Sequence, residues 1–264
     1  MMRDTVSGQG EGASLVIEGR VATITLNRPE TFNALDISMA RCLARQAREV
    51  ESCTDVHVLV LQGAGKVFCA GGDIGLFIAN AANLAPAISE LLTHLNDFLL
   101  TLRRMPQLVI MRIHGIAAGA GMSLAGMGDI CICTKTSRFR PAYATLGVSP
   151  DAGASVGIVQ SLGAPQALQL FLLQDEITGP EALQCGLATQ VVDDDQLDAV
   201  MHAHVQRLSQ FSSEAIAATK RLFWQSAQTP MGQQLGDELR AILNCMATAQ
   251  FHDNIERFAA RRKS

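Results

Sequence analysis

Aromatic side chains are nearly missing from this sequence: one Trp, one Tyr and 10 Phe among 264 residues, 5% in all. A chain so poor in rings has little with which to stack nucleic-acid bases. Positive charge is also short, with 21 Lys and Arg against 25 Asp and Glu and a net charge of −4. That balance argues against DNA, RNA or another polyanion as the main partner, while leaving room for a small anionic ligand held by local cations. The longest basic cluster, the terminal "ERFAARRKS", reads by itself as a solvated helix end. No apolar run reaches the ~20 residues that a bilayer requires. The opening "MMRDTVSGQGEGAS" is polar and glycine-rich, without an apolar segment of the secretory kind. The expectation is a soluble, cytoplasmic protein with no membrane partner.

Paired metal-ligand spacings are absent too. The seven cysteines are odd in number and sit mostly in apolar surroundings, as buried reduced thiols do. Cys131 and Cys133 share one face of a strand-like run, yet no second Cys or His pair accompanies them, so no metal site is expected.

What is present is alternation. In "SLVIEGRVATITLNRP" the residues Ala22, Ile24 and Leu26 alternate with Val21, Thr23 and Thr25, predicting two strands around a turn at Glu18 and Gly19. Pro29 ends the second strand. "ALDISMARCLARQAREVES" has helical spacing, "DVHVLVLQG" reads as a strand, 85–104 as a long helix and "LVIMRIHG" as a strand. "GIAAGAGMSLAGMG" then reads as a small-residue helix and "DICICTKT" as a further strand. Strand, glycine turn, helix, strand is the order of an α/β fold. From about Val200 four consecutive helices follow, dividing the chain into a core at 13–199 and a helical region at 200–264 whose apolar faces need a partner surface.

Two small-residue turns, "FCAGGDI" from Phe68 and "HGIAAGAGMSLAG" from His114, each follow a strand and precede helical sequence. A helix start exposes unpaired N–H groups, and small residues let a ligand approach them. Two such donors from separate turns form an oxyanion hole, each worth ~3 kcal/mol. Tight helix–strand packing explains the same composition equally well. Neither turn has the P-loop or dinucleotide spacing. Asp151, in "LGVSPDAGAS", is open to two readings: a helix N-cap before "AGAS", or an acid aimed into a site.

"VATITLNRPETFNAL", "KVFCAGGDI", "HGIAAGAGMSLAGMGDI" and "GLATQVVDDDQL" resemble, in order and spacing, the enoyl-CoA hydratase/isomerase (crotonase) superfamily, over about 15–262. The resemblance implies an α/β spiral of ββα turns, a C-terminal helical region used for trimerisation, and a coenzyme A thioester as substrate, with no further cofactor. A homotrimer or dimer of trimers is implied with it. Ala70 and Ala120 become the two backbone donors to the thioester oxygen. The coenzyme would run past Arg28, Ala34 and Leu35 and the turn of Ala70, Gly71, Asp73 and Ile74. Phe258 and Arg261 would reach its phosphates from a neighbouring subunit.

The departure lies in the acids. Family hydratases set two glutamates across the double bond; here Ser123 and Tyr143 stand at those positions, lining the acyl site, and neither is a carboxylate. The position of Asp151 carries an aspartate in the isomerases of the family, and "FRPAYATLGVSPDAGAS" looks most like the phenylacetyl-CoA pathway type. Shifting a double bond along an acyl thioester needs one base that removes a proton and returns it elsewhere. The resemblance therefore implies an enoyl-CoA isomerase with Asp151 as proton shuttle. A hydratase with an atypical acid set and a catalytically silent acyl-CoA-binding homologue are the alternatives. Asp151 as a nucleophile on an aryl-CoA is disfavoured, because Tyr143 replaces the tryptophan used there.

Overall fold

A tight turn at Gly19 and Arg20, one residue later than expected, folds the first hairpin, with Gly19 at a φ of 58° that suits glycine. The computed structural model describes residues 5–7, for their backbone, and 12–261. Ten strands are described: β1 Thr5–Ser7, β2 Ala13–Glu18, β3 Val21–Leu26, β4 Val58–Gly63, β5 Leu108–Ile113, β6 Ile116–Ala118, β7 Ile130–Thr134, β8 Arg138–Arg140, β9 Ile177–Thr178 and β10 Gln190–Val192. Seven form one sheet in the order β1-β2-β3-β4-β5-β7-β10, antiparallel through β3 and parallel from β3 onward. The other three make a small sheet in the order β6-β8-β9.

The helices are α1 Ile37–Ser52, α2 Ile74–Ala79, α3 Leu84–Arg104, α4 Ala120–Ala125, α5 Ala154–Leu162, α6 Ala164–Leu173, α7 Gly179–Cys185, α8 Leu197–Leu208, α9 Ser213–Gln225, α10 Met231–Met246 and α11 Ala249–Arg261. Asp36 starts α1 by accepting the Met39 N–H at 2.8 Å. Its buried face (Met39, Leu43, Ala47, Val50) packs on that of α3 (Leu91, Leu95, Phe98, Leu102). Both sheet faces are covered, as a parallel sheet requires. Leu59 and Leu61 of β4 join the larger cluster, while Val58 and Val60 meet Leu197 and Met201 of α8 on the other side.

Three expectations change. The segment expected as one small-residue helix splits, because Ile116–Ala118 pairs in parallel with Arg138–Arg140 and Gly119, at a φ of 49°, breaks the chain before α4. The last helix, "DNIERFAARRK" by its spacing, starts earlier, at Ala249. Asp151 caps nothing: α5 begins at Ala154 behind Gly153, without a side-chain cap.

The four helices after β10 attach unequally. α8 lies on the sheet, and α9 buries Ile216 and Lys220. α10 buries Ala241 alone and α11 no residue, leaving Leu235, Leu239, Ile242 and Leu243 exposed. Among the described residues no single helix is long and apolar enough to cross a membrane.

Candidate active site

The loops that leave the carboxyl ends of β4 and β5 meet edge to edge. Cys69 donates its N–H to the Ile116 carbonyl at 3.1 Å and accepts from Ala118 at 2.9 Å, which ties the 68–73 turn to β6. Gly71, at a φ of 99°, lies against Gly119 and Ala120; a β-carbon there would come within 2.8 Å of the Ala118 carbonyl and 3.5 Å of the Ala120 nitrogen. The absence of a side chain at Gly71 is what lets the two turns close.

Hydrogen bonding within the 70–73 turn corrects one expected donor. The Ala70 N–H is occupied by the Phe32 carbonyl at 3.0 Å, the Gly71 N–H turns to Cys69 Sγ at 3.4 Å, and the Asp73 N–H meets the Leu35 carbonyl at 2.9 Å. Phe32 can reach Ala70 because it sits in the left-handed region with a φ of 56°, a backbone state that the sequence does not announce. Gly72 is the residue of this turn whose N–H has no partner among the described residues. Ala120, first residue of α4, keeps its N–H outside the helical ladder.

Buried Asn33 holds this frame. Its amide nitrogen donates to the carbonyls of Ala64 at 2.8 Å, Val67 at 2.9 Å and Phe68 at 3.1 Å, and its oxygen accepts from the Arg28 N–H at 2.9 Å. Sequence reasoning missed it; the signal was an Asn inside "ETFNAL", a residue type that tolerates the φ of 57° found there. Truncation in Asn33→Ala orphans three carbonyls and is expected to cost about 3 kcal/mol in urea unfolding.

Arg28, expected against the coenzyme, braces the turns. Its guanidinium meets Asp36 at 2.6 Å and Asp73 at 3.3 Å and is mostly buried. Asp73 also accepts the Gly75 N–H at 2.8 Å to start α2. Ala34 and Leu35 are buried and enter the site through backbone, with the Leu35 N–H on the Gly71 carbonyl at 2.7 Å. Ile74 is exposed where α2 begins. Phe258 and Arg261 lie on α11, the ring of Phe258 exposed. Asn80, at the end of α2, bonds back to the Leu76 carbonyl at 2.8 Å.

The acid stands one hydrogen bond from Tyr143. The Tyr143 hydroxyl donates to Asp151 Oδ1 at 2.6 Å and lies 2.8 Å from Ser123 Oγ. Ser123 is fully buried. Tyr143 is itself buried and stacks on Phe171 with centroids 6.0 Å apart. Burial raises the pKa of the Asp151 carboxyl, and the Tyr143 hydrogen bond partly opposes this. Burial, with the charge of Asp151, holds the Tyr143 phenol protonated. Leu146 and Val148, in the loop between the two residues, leave apolar side chains exposed. Among the described residues no group of His, Cys, Asp and Glu has the arrangement to hold a metal ion. A cavity of about 360 Å³ between α6 and α7, lined by Gln166, Gln169 and Glu181, shares no residue with this site.

A partly buried carboxylate is thus linked through Tyr143 and Ser123 to the helix start that packs against the Gly71 turn. The profile of the Enoyl-CoA hydratase/isomerase family matches residues 16–264. The chain belongs to the enoyl-CoA hydratase/isomerase family. It is 30% identical over 247 residues to the 1,2-epoxyphenylacetyl-CoA isomerase of Escherichia coli, covering 93% of this chain and 94% of that one. It is also 30% identical over 242 residues to a Rhodobacter capsulatus protein named a probable enoyl-CoA hydratase, 92% of each. The crystal structure of a Thermobifida fusca relative in complex with acetoacetyl-CoA superposes with a TM-score of 0.81 at 32% identity, over 90% of this chain and 95% of that one. The crotonase α/β fold expected from sequence is thus the fold observed, and the protein is an enzyme of this family. Relatives bearing both hydratase and isomerase names make the acid set, not the fold, the place where the reaction is decided.

Proposed function

We infer that this family member is an enoyl-CoA isomerase that moves a carbon–carbon double bond along an acyl thioester. The observation that supports it most is the single carboxylate: Asp151, partly buried and bonded to Tyr143, with hydroxyls at both positions where a two-glutamate hydratase places its acids. With a 3-enoyl-CoA, Asp151 removes a proton from C2. The C2–H pair forms a C1=C2 bond while the carbonyl pair moves onto the thioester oxygen; on collapse the C=O re-forms, the C1=C2 pair becomes C2=C3, and the C3=C4 pair takes the proton that Asp151 returns at C4. Between the steps charge rests on the thioester oxygen, facing the N–H groups of Gly72 and Ala120, in place of the expected pair of Ala70 and Ala120. No cofactor is needed beyond the coenzyme A that the substrate carries. The test follows the growth of conjugated-thioester absorbance from a 3-enoyl-CoA, with a 2-enoyl-CoA run in parallel. Conversion of the first is expected. Loss of 2-enoyl absorbance without migration would instead make the enzyme a hydratase, and binding without turnover of either, or of a ring-bearing thioester, a silent acyl-CoA-binding homologue.

The working enzyme is, on this reading, a homotrimer or dimer of trimers. The exposed stripe of Leu235, Leu239, Ile242 and Leu243 on α10 is apolar surface that a monomer would leave wet. Phe258 and Arg261 of one subunit would then approach the coenzyme of the next. Leu239→Glu with Leu243→Glu is expected to shift the mass in sedimentation to that of one chain. A wild-type protein that already sediments as one chain would overturn the assembly.

A further inference from the structure

Two short contacts join the base to α4, the helix that opens with Ala120. A phenol has one proton, and Tyr143 gives its own to Asp151 Oδ1 at 2.6 Å. The contact with Ser123 at 2.8 Å must therefore run the other way, with Ser123 Oγ–H donating to the Tyr143 oxygen. The Ser123 proton is then engaged, and the Gly119 carbonyl, 3.3 Å from the hydroxyl, is held by the Ser123 N–H at 3.0 Å. Direction is thus fixed from α4 through Ser123 and Tyr143 to the carboxylate. Gly119 and Ala120 share the peptide whose N–H is assigned to the thioester oxygen.

The backbone points to the same pair. Ala142, just before Tyr143, has a φ of 58°, and Ala152, just after Asp151, a φ of 49°. Alanines in that region are strained and persist when their surroundings hold them. The strain thus flanks the two residues joined by the 2.6 Å bond.

We propose that Ser123 and Tyr143 are positioning residues of the proton shuttle: a hydrogen-bond relay that pins one carboxylate oxygen of Asp151, leaves the other to exchange the substrate's proton, and fixes the base against the Gly119–Ala120 peptide. The proposal rests on the isomerase reading of Asp151. Each donation favours the charged carboxylate, so losing either makes Asp151 harder to ionise and moves the acid limb of activity to higher pH. Cooperativity along the relay makes the Ser123 contribution act through Tyr143.

The experiment measures kcat/KM for double-bond migration against pH in wild type, Tyr143→Phe, Ser123→Ala and the double variant. Tyr143→Phe keeps the ring and its stacking on Phe171, and the melting temperature checks that the fold survives. Below the limb, Tyr143→Phe is expected to lose about tenfold more activity than on the alkaline plateau. Ser123→Ala should move the limb the same way by less, and should move it no further when added to Tyr143→Phe. An acid limb that stays in place while activity falls evenly at all pH would overturn the relay, as would additive shifts in the double variant. The carboxyl infrared band of Asp151, identified by its loss in Asp151→Asn, reads the same titration without substrate. A protein inert toward enoyl-CoA yet showing the infrared shift would sink the isomerase reading and leave the relay standing.

Discussion

Asp151→Asn is expected to lower kcat for double-bond migration by about a thousandfold, the scale of a general acid–base contribution, with little change in KM. Asparagine fills the same volume and still accepts the Tyr143 hydroxyl, so the site keeps its shape and its grip on the thioester. On the isomerase reading, what goes is the group that takes a proton from C2 and returns it at C4. Burial raises the Asp151 pKa, so the wild-type profile should fall on the acid side at a pH above that of an ordinary aspartate. The sign follows from the role: a base works ionised, and activity is lost as pH falls through the raised pKa. Stability should move the other way. A carboxylate held in a partly buried site costs the folded protein free energy when charged, so Asp151→Asn is expected to melt at or above the wild-type temperature near neutral pH. A variant that retained migration within a few fold would remove Asp151 from the mechanism.

The parts legible in the sequence are those whose cause is local. The hairpin follows from the alternation of Ala22, Ile24 and Leu26, and α1 from Asp36 ahead of a helical apolar stripe. Where small residues dominate, periodicity carries no signal: nothing in "GIAAGAG" separates β6 from α4, because the pairing of Ile116–Ala118 with Arg138–Arg140 is a long-range event. The site divides in the same manner. Asp151 was legible as the candidate acid, but its partner was not, since Tyr143 reaches it only through a loop whose two ends adopt positive φ. The donor at Gly72 was hidden by the Phe32 carbonyl, which reaches Ala70 from a left-handed turn. The pairing of Arg28, expected beside the coenzyme, was hidden because its two carboxylates, Asp36 and Asp73, come from different turns. In each case the missing information was which distant backbone group arrives first.

Lys220→Ala is expected to destabilise the fold by about 3–5 kcal/mol, the range for breaking a buried ion pair from one side. Lys220 is 5% exposed and donates to the Leu102 and Gln107 carbonyls, both at 2.8 Å, while pairing with Asp129 at 2.9 Å. Burial lowers its pKa and the Asp129 charge opposes this. Asp129 also accepts the Val109 N–H at 2.7 Å and the Trp224 indole N–H at 2.5 Å, and the Arg103 guanidinium lies 3.5 Å over the Trp224 ring. These residues tie α3 and α9 to the amino ends of β5 and β7, at the opposite end of the strands from the loops of the candidate site. Removing the ammonium leaves a buried carboxylate and two carbonyls short of partners. Asp129→Asn with Lys220→Met removes both charges and should recover part of the loss, so the pair is strongly non-additive. The single tryptophan of the chain, Trp224, sits in the cluster, so urea unfolding followed by its fluorescence reads the release of α9 directly. Circular dichroism recorded alongside decides the coupling. Coincident transitions mean that α9 unfolds with the sheet as one unit, whereas fluorescence moving first in Lys220→Ala means that the ion pair is what makes them cooperative.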